Sequence, residues 1–309
     1  MIIFYNKWHN GDFITQIMLI QKLLERNPTL RIGCCAYANH VKLLKDMNIE
    51  TIPLNIDMPV SPPQSDCIFL DRISQWSKTN NIKVAICNSW LGYGKENLHT
   101  WKSAINIYNA FAFSKNFTKD FERYGFSSAK SVYLDENLED YDLIFSKDYQ
   151  RFADTITSES KRNIYFDCSD THSGHSHINE SFTNKHVQQL WYDLFTSFPK
   201  LNFFTTNNTG CNLGNVFEMS NINIAELSFV SAKCDYIFGR GSGPYLCTFT
   251  KRNTGKKRFL LNFINTSPGT REEKKVYPFP SKFAGSQMTN IQNEKELFQI
   301  MQNISDNII

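Results

Sequence analysis

The sequence predicts an α/β protein made of two strand-first units in series. Three observations carry this. Short apolar runs alternate with helically spaced segments over residues 2–54. A second unit of the same kind begins near residue 160. Polar or glycine-bearing loops follow the strands of both units, where ligands of such folds bind.

In the first unit, residues 2–5 form the first expected strand and 6–12 a polar loop. Over 13–26 the apolar positions Phe13, Ile14, Ile17, Met18, Ile20, Leu23 and Leu24 have helical spacing, and Asn27-Pro28 ends the helix. Strand, helix and strand follow at 31–37, 39–47 and 50–54. His9-Asn10-Gly11-Asp12 occupies the first strand-to-helix turn. Asp12 reads either as a helix cap, worth about 1 kcal/mol, or as a carboxylate base at the mouth of a cleft. Residues 83–87 predict another strand, ending in a loop at 88–94 that carries Trp90, Gly92 and Gly94. Helices are expected over 98–113 and 117–124, with an aromatic stripe of Trp101, Tyr108, Phe111 and Phe113. That stripe is read first as core, then as an acceptor surface or a contact with a membrane. An acidic connection spans 127–146.

The second unit opens with a strand at 163–168. Its loop holds His172, His175 and His177 near Asp170, at a spacing that matches no standard metal site. The loop is read as lining a crevice, its imidazoles suited to phosphate or sugar hydroxyls. A helix at 184–198, a strand at 201–205 and a polar turn containing Asn207 come next. Asn223 caps a helix at 224–233, with Glu226 in the spacing of a capping box. Tyr236 to Phe238 is a buried-strand run, leading into Gly239-Arg240-Gly241-Ser242-Gly243-Pro244. Pro244 is expected to open a helix, so the stretch reads as an anion site at a helix N-terminus or as a tight core turn. A strand at 258–264 ends in a loop bearing Arg271, and 294–304 is the last helix, a candidate to pack back on the first domain. The domain boundary is placed between 158 and 159.

At 309 residues the chain suits two domains, and aromatics at 14%, with 25 Phe and 13 Tyr, supply a large core. A net charge of +3 is too small to argue for a nucleic-acid partner. The eight cysteines form no CxxC pair and sit mostly in apolar runs, the pattern of reduced thiols. Met1 is not followed by a leader pattern, and no run of 18 apolar residues occurs. The expectation is a cytoplasmic, non-spanning protein, with peripheral contact to the inner membrane as an option.

Two stretches resemble the heptosyltransferase-type bacterial glycosyltransferases. Asn10 to Ile17 is similar to that family's Gly-Asp-hydrophobic-hydrophobic-Thr sequence after the first strand. Ile224 to Pro244 is similar to its helix, strand and Ser/Thr-Gly-Pro loop. The resemblance implies a GT-B fold, two facing Rossmann-like domains with a central cleft. Residues 1–158 would be the acceptor side and 159–309 the nucleotide-sugar side. It implies an inverting transfer from a nucleotide sugar to a bacterial surface glycan or glycolipid, with no cofactor and no metal. Asp12 would be the general base. Gly239, Arg240, Gly241, Ser242, Gly243, Pro244, Glu226 and Asn207 would bind the donor. His9, Asn10, Gly11, Trp90, His172, His175 and Arg271 would face the substrates. Where the family carries an Asp before Thr/Ser-Gly and a His after it, this chain has Gly241 and Leu246. The implied donor is therefore a nucleotide sugar without being ADP-heptose in particular.

A non-catalytic nucleotide-sugar-binding protein of the same fold is the second reading. A Rossmann-type dehydrogenase or epimerase ranks lower, because the turn after the first strand offers one glycine instead of GxGxxG.

Overall fold

The structure, a computed structural model, describes residues 1–5, 24–25, 28–36, 44, 50–53, 75–82, 85–88, 151, 153–154, 161–168, 184–220, 222–240, 243–264, 282–283 and 286–309. The chain divides into two compact units, residues 1–8 with 12–136 and residues 9–11 with 137–309.

The first unit contains β1 (Ile2–Tyr5), β2 (Ile32–Ala36), β3 (Glu50–Pro53) and β4 (Ala85–Asn88). They form a parallel sheet in the order β3-β2-β1-β4. The chain winds outward from β1 through β2 to β3, then returns to place β4 on the other side of β1. Tyr5 and Asn88, the last residues of β1 and β4, are therefore register partners. Residues 75–80 are helical and end on Asn81 at φ 51°. Ile82 N–H bonds Ser77 O at 3.0 Å and Asn81 N–H bonds Lys78 O at 3.2 Å, the pairing of a Schellman stop.

The second unit contains β5 (Arg162–Phe166), α1 (Asn184–Ser197), β6 (Leu201–Thr205), β7 (Val216–Glu218), α2 (Ile224–Ala232), β8 (Tyr236–Gly239), α3 (Gly243–Leu246), β9 (Lys257–Leu261), β10 (Lys282–Phe283), β11 (Ser286–Ile291) and α4 (Glu294–Ser305). The sheet order is β10-β11-β9-β8-β5-β6-β7, and all pairs are parallel except β10 with β11. The expected elements at 184–198, 201–205, 224–233 and 294–304 are present within a residue or so. Strands β7, β10 and β11 have no counterpart in the sequence reading. β11 is mostly polar (Ser-Gln-Met-Thr-Asn-Ile), so neither an apolar run nor an alternation marks it.

Alternate residues of these strands serve different faces. Ile164 and Phe166 of β5, Phe203 of β6, Tyr236 and Phe238 of β8, and Phe259 and Leu261 of β9 join one apolar cluster. α1 covers it with Val187, Leu190, Trp191, Leu194 and Phe195, and α4 with Leu297, Met301 and Ile304. The C-terminal helix thus has its buried stripe in the second unit's own core. Phe166 is the hub. Its ring centroid lies 4.9 Å from Trp191, 5.6 Å from Phe195 and 5.9 Å from Phe238. Phe238 in turn stacks on Phe259 at 4.3 Å. Spacings of this kind add to the burial term of each ring.

The opposite face carries Tyr165, Asp167, Thr206, Ile237, Gly239, Arg258 and Leu260, nearly all buried. Polar groups run through it from the start of β5. Asn202 Nδ2 donates to Asn163 Oδ1 at 3.0 Å, and Asp235 Oδ2 accepts from Asn163 N–H at 2.8 Å.

Candidate functional site

In chain order the second unit's parallel strands lie 3-2-1-4-5-6, with β5 as strand one and β8 as strand four. The chain winds out to β7, then restarts beside β5 and winds the other way. In doubly wound sheets ligands bind outside the carboxyl ends of the two strands at such a switch point, here β5 and β8. β1 and β4 stand in the same relation in the first unit.

Three strand ends meet at the second unit's switch point. Asp167, just past β5, is fully buried. Its N–H bonds Phe238 O of β8 at 2.9 Å, and its Oδ1 accepts from Thr206 Oγ1 of the β6 loop at 3.0 Å. One aspartate thereby ties β5 to both neighbours. The backbone makes the tie to β8 and the side chain the tie to the β6 loop, and a buried hydrogen bond is costly to lose.

The loop after β6 is braced by a second carboxylate. Glu218 Oε1, from β7, accepts from Thr209 N–H and Thr209 Oγ1, both at 2.7 Å, and from Gly210 N–H at 3.1 Å. Gly210 has φ +68°, a conformation that favours glycine. Asn207, partly exposed, lies in this braced loop. Its carbonyl accepts from Thr205 Oγ1 at 3.1 Å.

The turn after β8 is tight. A Cβ on Gly239 would come 2.8 Å from Cγ of Tyr245, closer still to Cδ2, and 3.0 Å from Cβ of Asp167. Gly239 is thus required by close approach, since its φ is unexceptional. Arg240 follows the strand directly and is 3% exposed.

Beyond it the expected helix is a single turn, Gly243–Leu246, with Pro244 as its second residue. This corrects the reading of a helix N-terminus as the source of the anion's attraction. A macrodipole sums aligned peptides, and four residues supply little of it. The helix stops because Thr248 competes for its carbonyls. Thr248 N–H and Oγ1 both bond Tyr245 O, at 3.1 and 2.7 Å, which tightens the chain into i→i−3 turns.

Glu226 sits in the first turn of α2. Its Oε2 accepts from Asn223 N–H at 3.0 Å while Asn223 Oδ1 accepts from Glu226 N–H at 3.0 Å, a complete capping box. One carboxylate oxygen of this donor-site candidate is therefore engaged in the cap.

Three described cysteines of the second unit are inert. Burial pushes the Cys168 thiol up to about 12 and carries Cys234 and Cys247 above the usual thiol range. They remain protonated at neutral pH and are poor nucleophiles.

Of the residues singled out by sequence, Gly239, Arg240 and Asn207 are brought to the carboxyl edge of one sheet, with Gly243 and Pro244 in the turn beyond β8. Asp12, His9, Asn10, Gly11, Trp90, His172, His175, Arg271, Gly241 and Ser242 lie outside the described residues, as do the helices expected at 98–124. The structure adds Asp167, Thr206, Glu218 and Tyr245. Asp167 and Thr206 each stand just past an apolar strand run, a placement that the sequence shows once strand order is known.

No family model matches the chain, and no curated protein matches it in sequence. Solved structures do. Escherichia coli ADP-heptose lps heptosyltransferase II superposes with a TM-score of 0.55 at 10% identity, covering 99% of this chain and 98% of that one. The glycosyl transferase family 9 protein of Veillonella parvula gives 0.55 at 12% identity, over 97% and 88%. The fold is GT-B. A putative UDP-N-acetylglucosamine 2-epimerase from Listeria monocytogenes is also similar, with a TM-score of 0.51 at 10% identity over 99% and 88%. Among the described residues no helix is long and apolar enough to cross a membrane.

Proposed function

We propose that this protein is a glycosyltransferase that moves a sugar from a nucleotide-sugar donor to a bacterial surface glycan or glycolipid. The observation that carries the reading is end-to-end likeness to heptosyltransferases, together with a tight glycine turn at the switch point of the second unit. Residues 159–309 then take the donor and residues 1–158 the acceptor. The enzyme works in the cytoplasm, without a metal or cofactor.

The reaction inverts the anomeric centre. Asp12 takes the proton of the acceptor hydroxyl as that oxygen attacks the anomeric carbon. The bond from that carbon to the diphosphate oxygen breaks, and its electron pair leaves with the nucleoside diphosphate. Backbone N–H groups of residues 240–243, Arg240, Arg271 and the His172 and His175 imidazoles offset the growing negative charge. Asn207 and Glu226 line the donor side, and His9, Asn10, Gly11 and Trp90 the acceptor side.

A thermal-shift panel of nucleoside diphosphates and nucleotide sugars tests donor binding, because a ligand of the folded state raises its melting temperature. Selective stabilisation by one nucleotide family is expected. Asp12→Asn should then abolish transfer while leaving that stabilisation in place. Intact transfer in Asp12→Asn would remove the base assignment. Gly241 and Leu246, standing where the resembled family keeps polar groups, keep a second reading in view, a non-catalytic nucleotide-sugar-binding protein of this fold. Donor binding with no turnover on any glycan would favour it.

A further inference from the structure

We propose that Tyr165 and Arg258 are positioning residues for the donor's diphosphate, Tyr165 by holding the turn after β8 and Arg258 by placing a buried positive charge under it. The proposal rests on the glycosyltransferase reading and deepens it.

Tyr165, Ile237 and Arg258 are register neighbours across β5, β8 and β9. They form one row on the polar face, two residues below the row of Asp167, Gly239 and Leu260. Tyr165 and Arg258 flank the strand that delivers the turn, and each is at most 1% exposed. Tyr165 Oη donates to Pro244 O at 2.7 Å, inside the single helical turn. Cys247 Sγ reaches the same carbonyl at 3.0 Å. Burial raises the Tyr165 phenol well above its ordinary 10, so it stays a donor at any working pH.

Arg258 holds the far end of the turn. Its Nη1 donates to Thr248 Oγ1 at 2.7 Å and its Nη2 to Thr248 O at 2.6 Å. Thr248 Oγ1 donates onward to Tyr245 O at 2.7 Å, and the Tyr245 ring covers Gly239. The guanidinium also lies 4.5 Å from the centroid of Phe249. The chain of contacts from Arg258 through Thr248 and Tyr245 to Gly239 fixes where the turn sits. Burial lowers Arg258 to about 10, which still leaves it cationic at neutral pH.

A methionine or leucine would fill this place without desolvating a charge, often at no loss of stability. An anion-binding turn gives the charge a use. A one-turn helix contributes little field of its own, and a cation buried away from water acts over a longer range than one in water.

The test is titration of the full chain, as wild type, Tyr165→Phe, Arg258→Met and Arg258→Lys. The probes are ADP, GDP, UDP and the three matching nucleosides up to millimolar concentration. Arg258→Met should weaken the preferred diphosphate on the order of tenfold, the scale of one unit charge acting from beyond contact distance. Arg258→Lys should recover most of that loss. Tyr165→Phe should cost roughly fivefold, the scale of one hydrogen bond. Nucleoside affinity should move less than about twofold in all of them.

Equal losses for nucleoside and diphosphate, or no loss, would overturn the proposal, because a merely structural role moves both ligands together. If Arg258→Met does not fold, Tyr165→Phe, which preserves ring volume, decides by the same ratio. Wild type that binds none of the diphosphates would remove the glycosyltransferase reading and this inference with it. Wild type that binds one, with an unmoved ratio in the variants, would remove this inference alone.

Discussion

The two faces of the second sheet come from alternate residues of the same strands, and they solve different problems. On one face Phe166, Phe203, Phe238 and Phe259 meet α1 and α4 with rings edge-on or stacked. On the other, Tyr165, Asp167, Thr206 and Arg258 are as deeply buried and are held by hydrogen bonds. The dry face carries stability because apolar burial is non-directional and scales with area. The polar face carries position because a buried hydrogen bond has one good geometry and a large penalty when lost. Strand ends that must hold loops at a switch point need the second kind of interaction.

This difference can be broken at either face. The largest effect is expected on the dry face, where Phe166→Ala should cost about 3–5 kcal/mol in urea unfolding. Its effect on nucleotide affinity, measured in whatever folded fraction remains, should be small.

Gly239→Ala comes next, at about 1–3 kcal/mol. The new methyl must displace Tyr245 and with it the turn, so nucleotide-induced thermal stabilisation should vanish. Retained stabilisation in Gly239→Ala would show that this turn does not contact the ligand.

Thr206→Val takes one donor from the buried Asp167 while keeping side-chain shape. A loss of about 1–3 kcal/mol is expected, with Thr206→Ser recovering most of it.

The last effect depends on pH and is at Lys256, whose Nζ donates to Ser231 O at 3.0 Å and Ala232 O at 2.6 Å, at the end of α2. Burial lowers its ammonium from 10.5 to about 8. Between those values the unfolded chain binds more protons than the folded one, so this residue makes stability rise with pH. Buried thiols such as Cys168 act in the opposite sense, because they resist ionising when folded. The difference in unfolding free energy between wild type and Lys256→Met isolates the lysine. It should favour wild type increasingly from pH 8 to 10.5, and a flat difference would contradict the assignment.

Much of the second unit was legible. Strand runs such as Leu201–Thr205, the Asn223–Glu226 cap and the amphipathic α1 are local signals, each set by residues near in sequence. Gly239 was legible as a turn glycine, but the reason for it was not. Its partner, Tyr245, lies six residues on and meets it only when the chain folds back. The length of α3 was not legible because Pro244 marks only a helix start, while the stop comes from Thr248 and its contact with Arg258 of β9. β7 and β11 were missed because edge and near-edge strands need fewer apolar residues than central ones.

By itself the sequence determined the α/β class, the two strand-first units and the glycine turn after Tyr236–Gly239, because apolar period, caps and turn residues act over a few positions. Tertiary structure alone decided strand order, and strand order decided the rest. It made β5 and β8 neighbours across 74 positions of sequence, set Tyr165 and Arg258 on either side of Ile237, and put Asp167 where three strand ends converge. Those placements depend on which strand lies beside which, and parallel pairing across long crossovers leaves no local trace in the chain.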